Sequence, residues 1–118
     1  MKTIFIFFIG LCTSFGALAQ SDKSITVSQS LTPYLLEVSF YKTVHIVFPA
    51  AVKYVDLGST DIIAGKADGV ENVIRVKAAI ERFVTETNFS VITSDGSFYS
   101  FNVVYSDEPS VLNINIGQ

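Results

Sequence analysis

From Tyr34 onward, short apolar runs follow one another, each closed by a turn residue. Between Thr43 and Phe48 the side chains Val44, Ile46 and Phe48 alternate with Thr43, His45 and Val47. A period of two belongs to a strand, because successive strand side chains point to opposite faces. The runs are rich in β-branched and aromatic residues, which suit a pleated, half-buried surface. Strands are predicted over Tyr34–Tyr41, Thr43–Phe48, Val52–Leu57, Asp61–Ala67 and Asn72–Ala79. Pro49 stops the second, because proline cannot donate to a sheet ladder. Gly58 ends the third, and the polar stretch Lys66–Asn72 (KADGVEN) reads as a long loop after the fourth.

The segment NFSVITSDGSFYSFNVVYSD places two alternating runs around Asp95-Gly96. Asp-Gly accepts the positive φ angles of a type I′ turn, so this is a hairpin signal. In its second strand Tyr99, Phe101, Val103 and Tyr105 share one face, and Phe98, Ser100, Asn102 and Val104 the other. RVKAAIERFVTET is the one place where helix competes, since Ala78, Ala79 and Glu81 favour it. Val76, Ile80, Phe83 and Val84 make no long helical stripe, so strand followed by loop is expected. VLNINI adds a final strand or begins a linker. The fold class expected is all-β, a small β-sandwich of about seven short, mainly antiparallel strands.

The N-terminus has a different pattern. Met1-Lys2 is a positive start, Ile4–Leu11 an apolar core, and Ala17-Leu18-Ala19 a small-x-small end. Residues 1–19 are expected to be a cleavable signal peptide. The apolar core is shorter than the roughly 20 residues a membrane-spanning helix needs, which disfavours an anchor. Cys12, the chain's single cysteine, lies in this leader after Leu11, where lipidation is not expected. Removing 19 of the 118 residues leaves 99, with no cysteine, able to enter an oxidising compartment without a disulfide. Loss of Lys2 takes the formal net charge from −3 to −4, which argues against direct nucleic-acid binding. Residues 20–33 read as an extended polar arm, residues 34–109 as the sandwich domain and residues 110–118 as the start of a linker.

Reactive constellations are lacking. His45 is the single imidazole, without the three or four ligands a zinc site takes or a nucleophile to serve. It reads as a histidine on a half-exposed strand. Ser24, Ser28, Ser90 and Ser94 have no other base available. Asp56 and Asp61 bracket a turn, and Lys66–Gly69 lacks the alternating oxygen ligands of a calcium loop. Gly58, Gly65 and Gly69 fit turns and bulges and form no phosphate-binding pattern. No catalytic, cofactor-binding or metal-binding residue is expected, and no cofactor. Five tyrosines favour binding or assembly over catalysis.

Two long blocks, EVSFYKTVHIVFPAAVKYVDLGSTDIIAGKADGVENVIRVKAA and TNFSVITSDGSFYSFNVVYSDEP, resemble the TraN proteins of Bacteroides-type conjugative transposons. These are similar to the CagX and TrbG outer-membrane core subunits of type IV secretion systems. The sparser pattern of that group falls on Phe48-Pro49, Val52, Val55, Gly58, Asn88, Val91, Thr93, Tyr99 and Phe101, positions that define a fold. The resemblance covers Glu37 to Pro109. It implies a non-enzymatic, periplasmic component of a conjugation channel, homo-oligomeric within a ring and associated with the membrane through its partners. The implied partners are a TonB-like bridging subunit and small outer-membrane proteins. It also implies a second, C-terminal β-domain beyond Gln118, without which direct insertion in the outer membrane is not expected of this span. The alternative is a secreted binding module for glycan or peptide, using Tyr99 and Tyr105. A hydrolase built on His45 ranks last.

Candidate protein contacts are Ser24, Ile25 and Val27 in the arm, and Lys66, Asp68 and Asn72 in the polar loop. An extended arm can add a strand to an open sheet edge of a neighbour. Deleting residues 20–33 is therefore expected to weaken oligomerisation while leaving the circular dichroism of the domain unchanged; undiminished assembly would refute a role for the arm.

Overall fold

The computed structural model describes residues 31–117. The expected leader, and Ser24, Ile25 and Val27 of the arm, lie outside the described residues. Eight strands form among those described: β1 Tyr34–Val38, β2 Val44–Val47, β3 Val52–Leu57, β4 Ile62–Ala67, β5 Val70–Ala78, β6 Thr87–Thr93, β7 Phe98–Tyr105 and β8 Asn113–Asn115. They make two four-stranded sheets, ordered β1-β7-β6-β3 and β4-β5-β2-β8. The fold is the all-β sandwich expected. Four strand pairings are antiparallel, while β1–β7 and β2–β8 are parallel.

The alternation that predicts the strands also sorts their faces. Val44 and Ile46 of β2, Ile74, Val76 and Ala78 of β5, Phe89 and Val91 of β6, and Phe101 and Val103 of β7 are all buried. They fill the space between the sheets with Leu36, Val38, Phe48, Val52 and Ile62. Phe101 sits at the centre. Its ring stacks on Phe89 at 4.5 Å and on Tyr34 at 5.3 Å, along one row of register across β6, β7 and β1. Phe48, just beyond β2 in the opposite sheet, meets Phe101 edge-on at 6.3 Å and Tyr99 at 5.1 Å. Edge-to-face and stacked pairs are the favoured geometries for aromatic rings.

Three elements differ from the sequence expectation. β1 stops at Val38, because the buried Ser39 turns the chain by accepting a bond from the Lys42 amide at 2.9 Å. The stretch Lys66–Asn72 is not a long loop. Asp68-Gly69 makes a tight turn with a bulge at Lys66/Ala67, and only those two residues stand outside β4 and β5. The Asp95-Gly96 hairpin forms, but not through a type I′ turn. Gly96 has φ 85°, Asp95 does not take positive φ, and the Gly96 amide donates to Thr93 O at 2.9 Å. This is a three-residue loop whose last residue is left-handed, the other common hairpin connection. The competing helix does not form: β5 ends at Ala78 and a loop follows, as expected.

Gly58 marks a close approach. Its amide donates to Asn88 O at 2.8 Å, and a Cβ there would stand 2.9 Å from that carbonyl and 1.8 Å from Asn88 Oδ1. The side-chain oxygen can rotate away, but the carbonyl is fixed in the sheet. Gly58→Ala is expected to cost about 1–3 kcal/mol through forced backbone shifts. Phe101→Ala is expected to cost about 3–5 kcal/mol, as for other buried aromatics. Urea denaturation checks both; a loss under about 1 kcal/mol for Phe101→Ala would show that the aromatic row is not central.

Candidate functional site

The sandwich offers two outward faces, one loop-rich end and an open side. On the β4-β5-β2-β8 sheet, alternation turns His45 of β2 and Arg75 and Lys77 of β5 away from the core, beside the exposed Ile63 of β4. His45 is the register partner of Arg75 and of Asn113, and Gly65 is opposite Arg75 on the other side. Nothing lies within 4 Å of where a Gly65 Cβ would be. The result is a shallow trough of about 150 Å³ lined by Thr43, Ile63, Gly65, Arg75 and Lys77. Lys77 Nζ lies 5.4 Å from the Phe40 ring centroid, a cation–π distance.

The β1-β7-β6-β3 sheet turns Glu37, Asp56, Ser90, Ser100, Asn88 and Asn102 outward. Tyr54, Ile92 and Phe98 are in register across β3, β6 and β7, forming one apolar row. Tyr54 is 52% and Phe98 47% exposed. Tyr99 and Tyr105 do not form an open aromatic face. Both are half-buried on the inner side, Tyr99 against Phe48 and Tyr105 edge-on to Phe83.

At the loop-rich end Arg82 takes φ 54°, a left-handed conformation rare for a side chain with Cβ. Its guanidinium reaches Asp107 at 3.1 Å and Glu81 at 3.0 Å. Tyr105 donates to Asp107 at 3.0 Å and accepts from the Phe40 amide at 3.2 Å, and Tyr41 donates to Glu81. The bond to Glu81 raises the Tyr41 phenol above its usual value, and the Asp107 carboxylate raises Arg82. These contacts tie three loops together and converge on no open cavity. A second concavity of about 480 Å³, lined by Gly58, Ser59, Asp61, Thr85, Glu86, Thr87, Asn88 and Asn102, is polar and wide. On the open side, the edges of β1 and β8 flank an apolar groove of about 450 Å³ lined by Leu35, Leu36, Val111 and Ile114.

Of the contact residues proposed from sequence, Lys66, Asp68 and Asn72 lie among the described residues, all on the β4–β5 hairpin. Lys66 is exposed and paired with Glu71 at 2.9 Å, and Asp68 is exposed at the tip of the β4–β5 turn. Asn72 has a structural role. Its side-chain amide donates to Phe48 O at 3.0 Å and its carbonyl accepts from the Phe48 amide at 2.8 Å, extending the β2–β5 ladder past the strand end. Among the described residues no three of His, Cys, Asp and Glu come together as a metal site requires. No helix among them is long and apolar enough to cross a membrane. The outward faces were not singled out in the sequence, although the alternation in β5 and β7 already separates Arg75 from Val76 and Phe98 from Tyr99.

One local device has a pH signature. Thr93 Oγ1 donates to Asp95 Oδ1 at 2.5 Å and the Ser97 amide donates to the same oxygen at 3.2 Å. These bonds hold the Asp95 carboxyl below its ordinary value of 3.8. A depressed carboxyl stabilises the fold in its ionised form, an effect complete above the unfolded value and lost as pH falls through the lower folded one. Asp95→Asn is expected to lower the urea midpoint at neutral pH, with the difference from the native chain closing below the ordinary carboxyl range. A difference that does not change with pH would contradict this assignment.

Comparison with known proteins places the fold in a family. No curated protein matches the chain. A family match runs from residue 36 to residue 109, from the first buried residue of β1 to beyond the end of β7. The chain belongs to the DUF8473 family, a domain of unknown function.

Proposed function

We propose that this chain is a non-enzymatic structural subunit of an envelope channel for conjugative DNA transfer, related to type IV secretion and held in the periplasm at the outer-membrane complex. One observation carries the reading. The positions through which the chain resembles TraN and the CagX/TrbG group, spread between Phe48 and Phe101, form one contiguous set in space. Gly58 meets Asn88, Val55 is opposite Val91, Val52 is opposite Thr93, and Phe48 packs on Tyr99 and Phe101. Together they join both sheets. A pattern that describes how two sheets lock supports a role in which shape is the function. The span of the resemblance, Glu37 to Pro109, also coincides closely with the domain matched at residues 36–109.

In this role the domain takes its place in a homo-oligomeric ring, with a TonB-like bridging subunit and outer-membrane proteins as neighbours. A second reading, a secreted module binding glycan or peptide, is favoured by the exposed row Tyr54, Ile92 and Phe98 beside the hydroxyls of Ser90 and Ser100. Affinity purification of the tagged chain from a host carrying the conjugative element, followed by mass spectrometry, separates the two. Recovery with other transfer proteins in a large envelope complex is expected. Recovery alone, with saturable binding of a glycan or peptide that Tyr54→Ala abolishes, would replace the channel reading with the second one.

A further inference from the structure

We infer that the two outward faces of the sandwich are complementary and meet between copies of this chain, the β5 face of one copy on the β6–β7 face of the next. The inference deepens the ring-subunit reading and rests on it for its setting. Charge complementarity is the first ground. Arg75 and Lys77 stand two residues apart on the outward side of β5, and neither makes an ion pair within the described residues. At the border of this face Lys66 and Glu71 neutralise each other. The opposite outward face carries Glu37 and Asp56 on its two edge strands, and the one cation in its strands, Lys53, sits at the β3 bulge. A chain of formal net charge −3 thus keeps one face with two cations free.

Shape is the second ground. Gly65 leaves open the trough beside Arg75, with Ile63 and the aliphatic stems of Arg75 and Lys77 as its walls. The other face offers Tyr54 and Phe98 at the two ends of its apolar row, adjacent to the row of Asp56, Ser90 and Ser100. An aromatic ring seated over Gly65 gains apolar burial and a cation–π contact with Arg75, and brings Asp56 near the same cations. The surfaces differ, so the contact is heterologous: it propagates from copy to copy and closes into a ring when the rotation per copy allows.

The test is sedimentation of the purified full chain across a concentration series, at low and high salt, with circular dichroism to confirm folding. The native chain is expected to self-associate, less so at high salt because exposed charges are screened. Arg75→Glu/Lys77→Glu and, separately, Asp56→Lys are each expected to weaken association at least about tenfold, a difference of about 1.4 kcal/mol. Mixing the two variants is expected to restore one contact and give a 1:1 heterodimer, because each retains the intact face the other needs. A native chain that stays monomeric, variants that associate like the native chain, or a mixture that stays dissociated would each overturn the proposal. Self-association without co-purifying transfer proteins would leave this contact standing and remove the channel reading; co-purification of a chain that never self-associates would do the reverse.

Discussion

Phe101 is held between two rings of its own sheet and the edge of a third ring from the opposite sheet. The rest of the domain depends on that arrangement. The row Tyr34–Phe101–Phe89 fixes the register of β1, β7 and β6 at once, because a slip of one residue would turn Phe101 out to solvent. Phe48 ties this row to the second sheet, and Asn72 holds Phe48 by two bonds to its backbone. The aliphatic residues of both sheets, among them Ile46, Ile74, Val91 and Val103, fill the rest of the space between them.

The same packing sets what the surface can present. With large side chains turned inward, β5 and β7 display Arg75, Lys77, Phe98 and Ser100 on flat, regular faces. The open ladders of β1 and β8 leave the groove beside Leu35, which is 74% exposed. Open edges and flat mixed faces are where other chains attach. The loop-rich end, tied by Arg82, Asp107 and Tyr105, is closed by comparison. On the proposed reading, assembly uses faces and edges, while the tied end keeps the loops in place.

Much of this is legible in the sequence, for a physical reason. Alternation over Val44–Phe48 and Phe98–Tyr105 reports directly on burial, so strands and their inner faces follow from period two. What stays hidden is non-local. That β1 pairs in parallel with β7, and β2 with β8, depends on how crossing connections return, which no local run encodes. Asp68-Gly69 carried the same turn signal as Asp95-Gly96 but stood among polar residues, so a tight turn looked like a loop. Nothing local says that the Asn72 amide will find Phe48 O. The grouping of β7 faces places Tyr99 and Tyr105 with Phe101 on the inner side, while Phe98 on the other face, with Tyr54 of β3, is exposed.

The claim that shape is this chain's function, within a channel for DNA transfer, is tested most directly by transfer itself. The measurement is the frequency of conjugative transfer from a donor lacking this gene, with and without the gene restored. The proposed function predicts that transfer is lost with the gene and regained with the native chain. It also predicts that a variant with His45 and all of Ser24, Ser28, Ser90 and Ser94 replaced by alanine, if folded, restores transfer, since no side-chain chemistry is required of them. Undiminished transfer without the gene would contradict it.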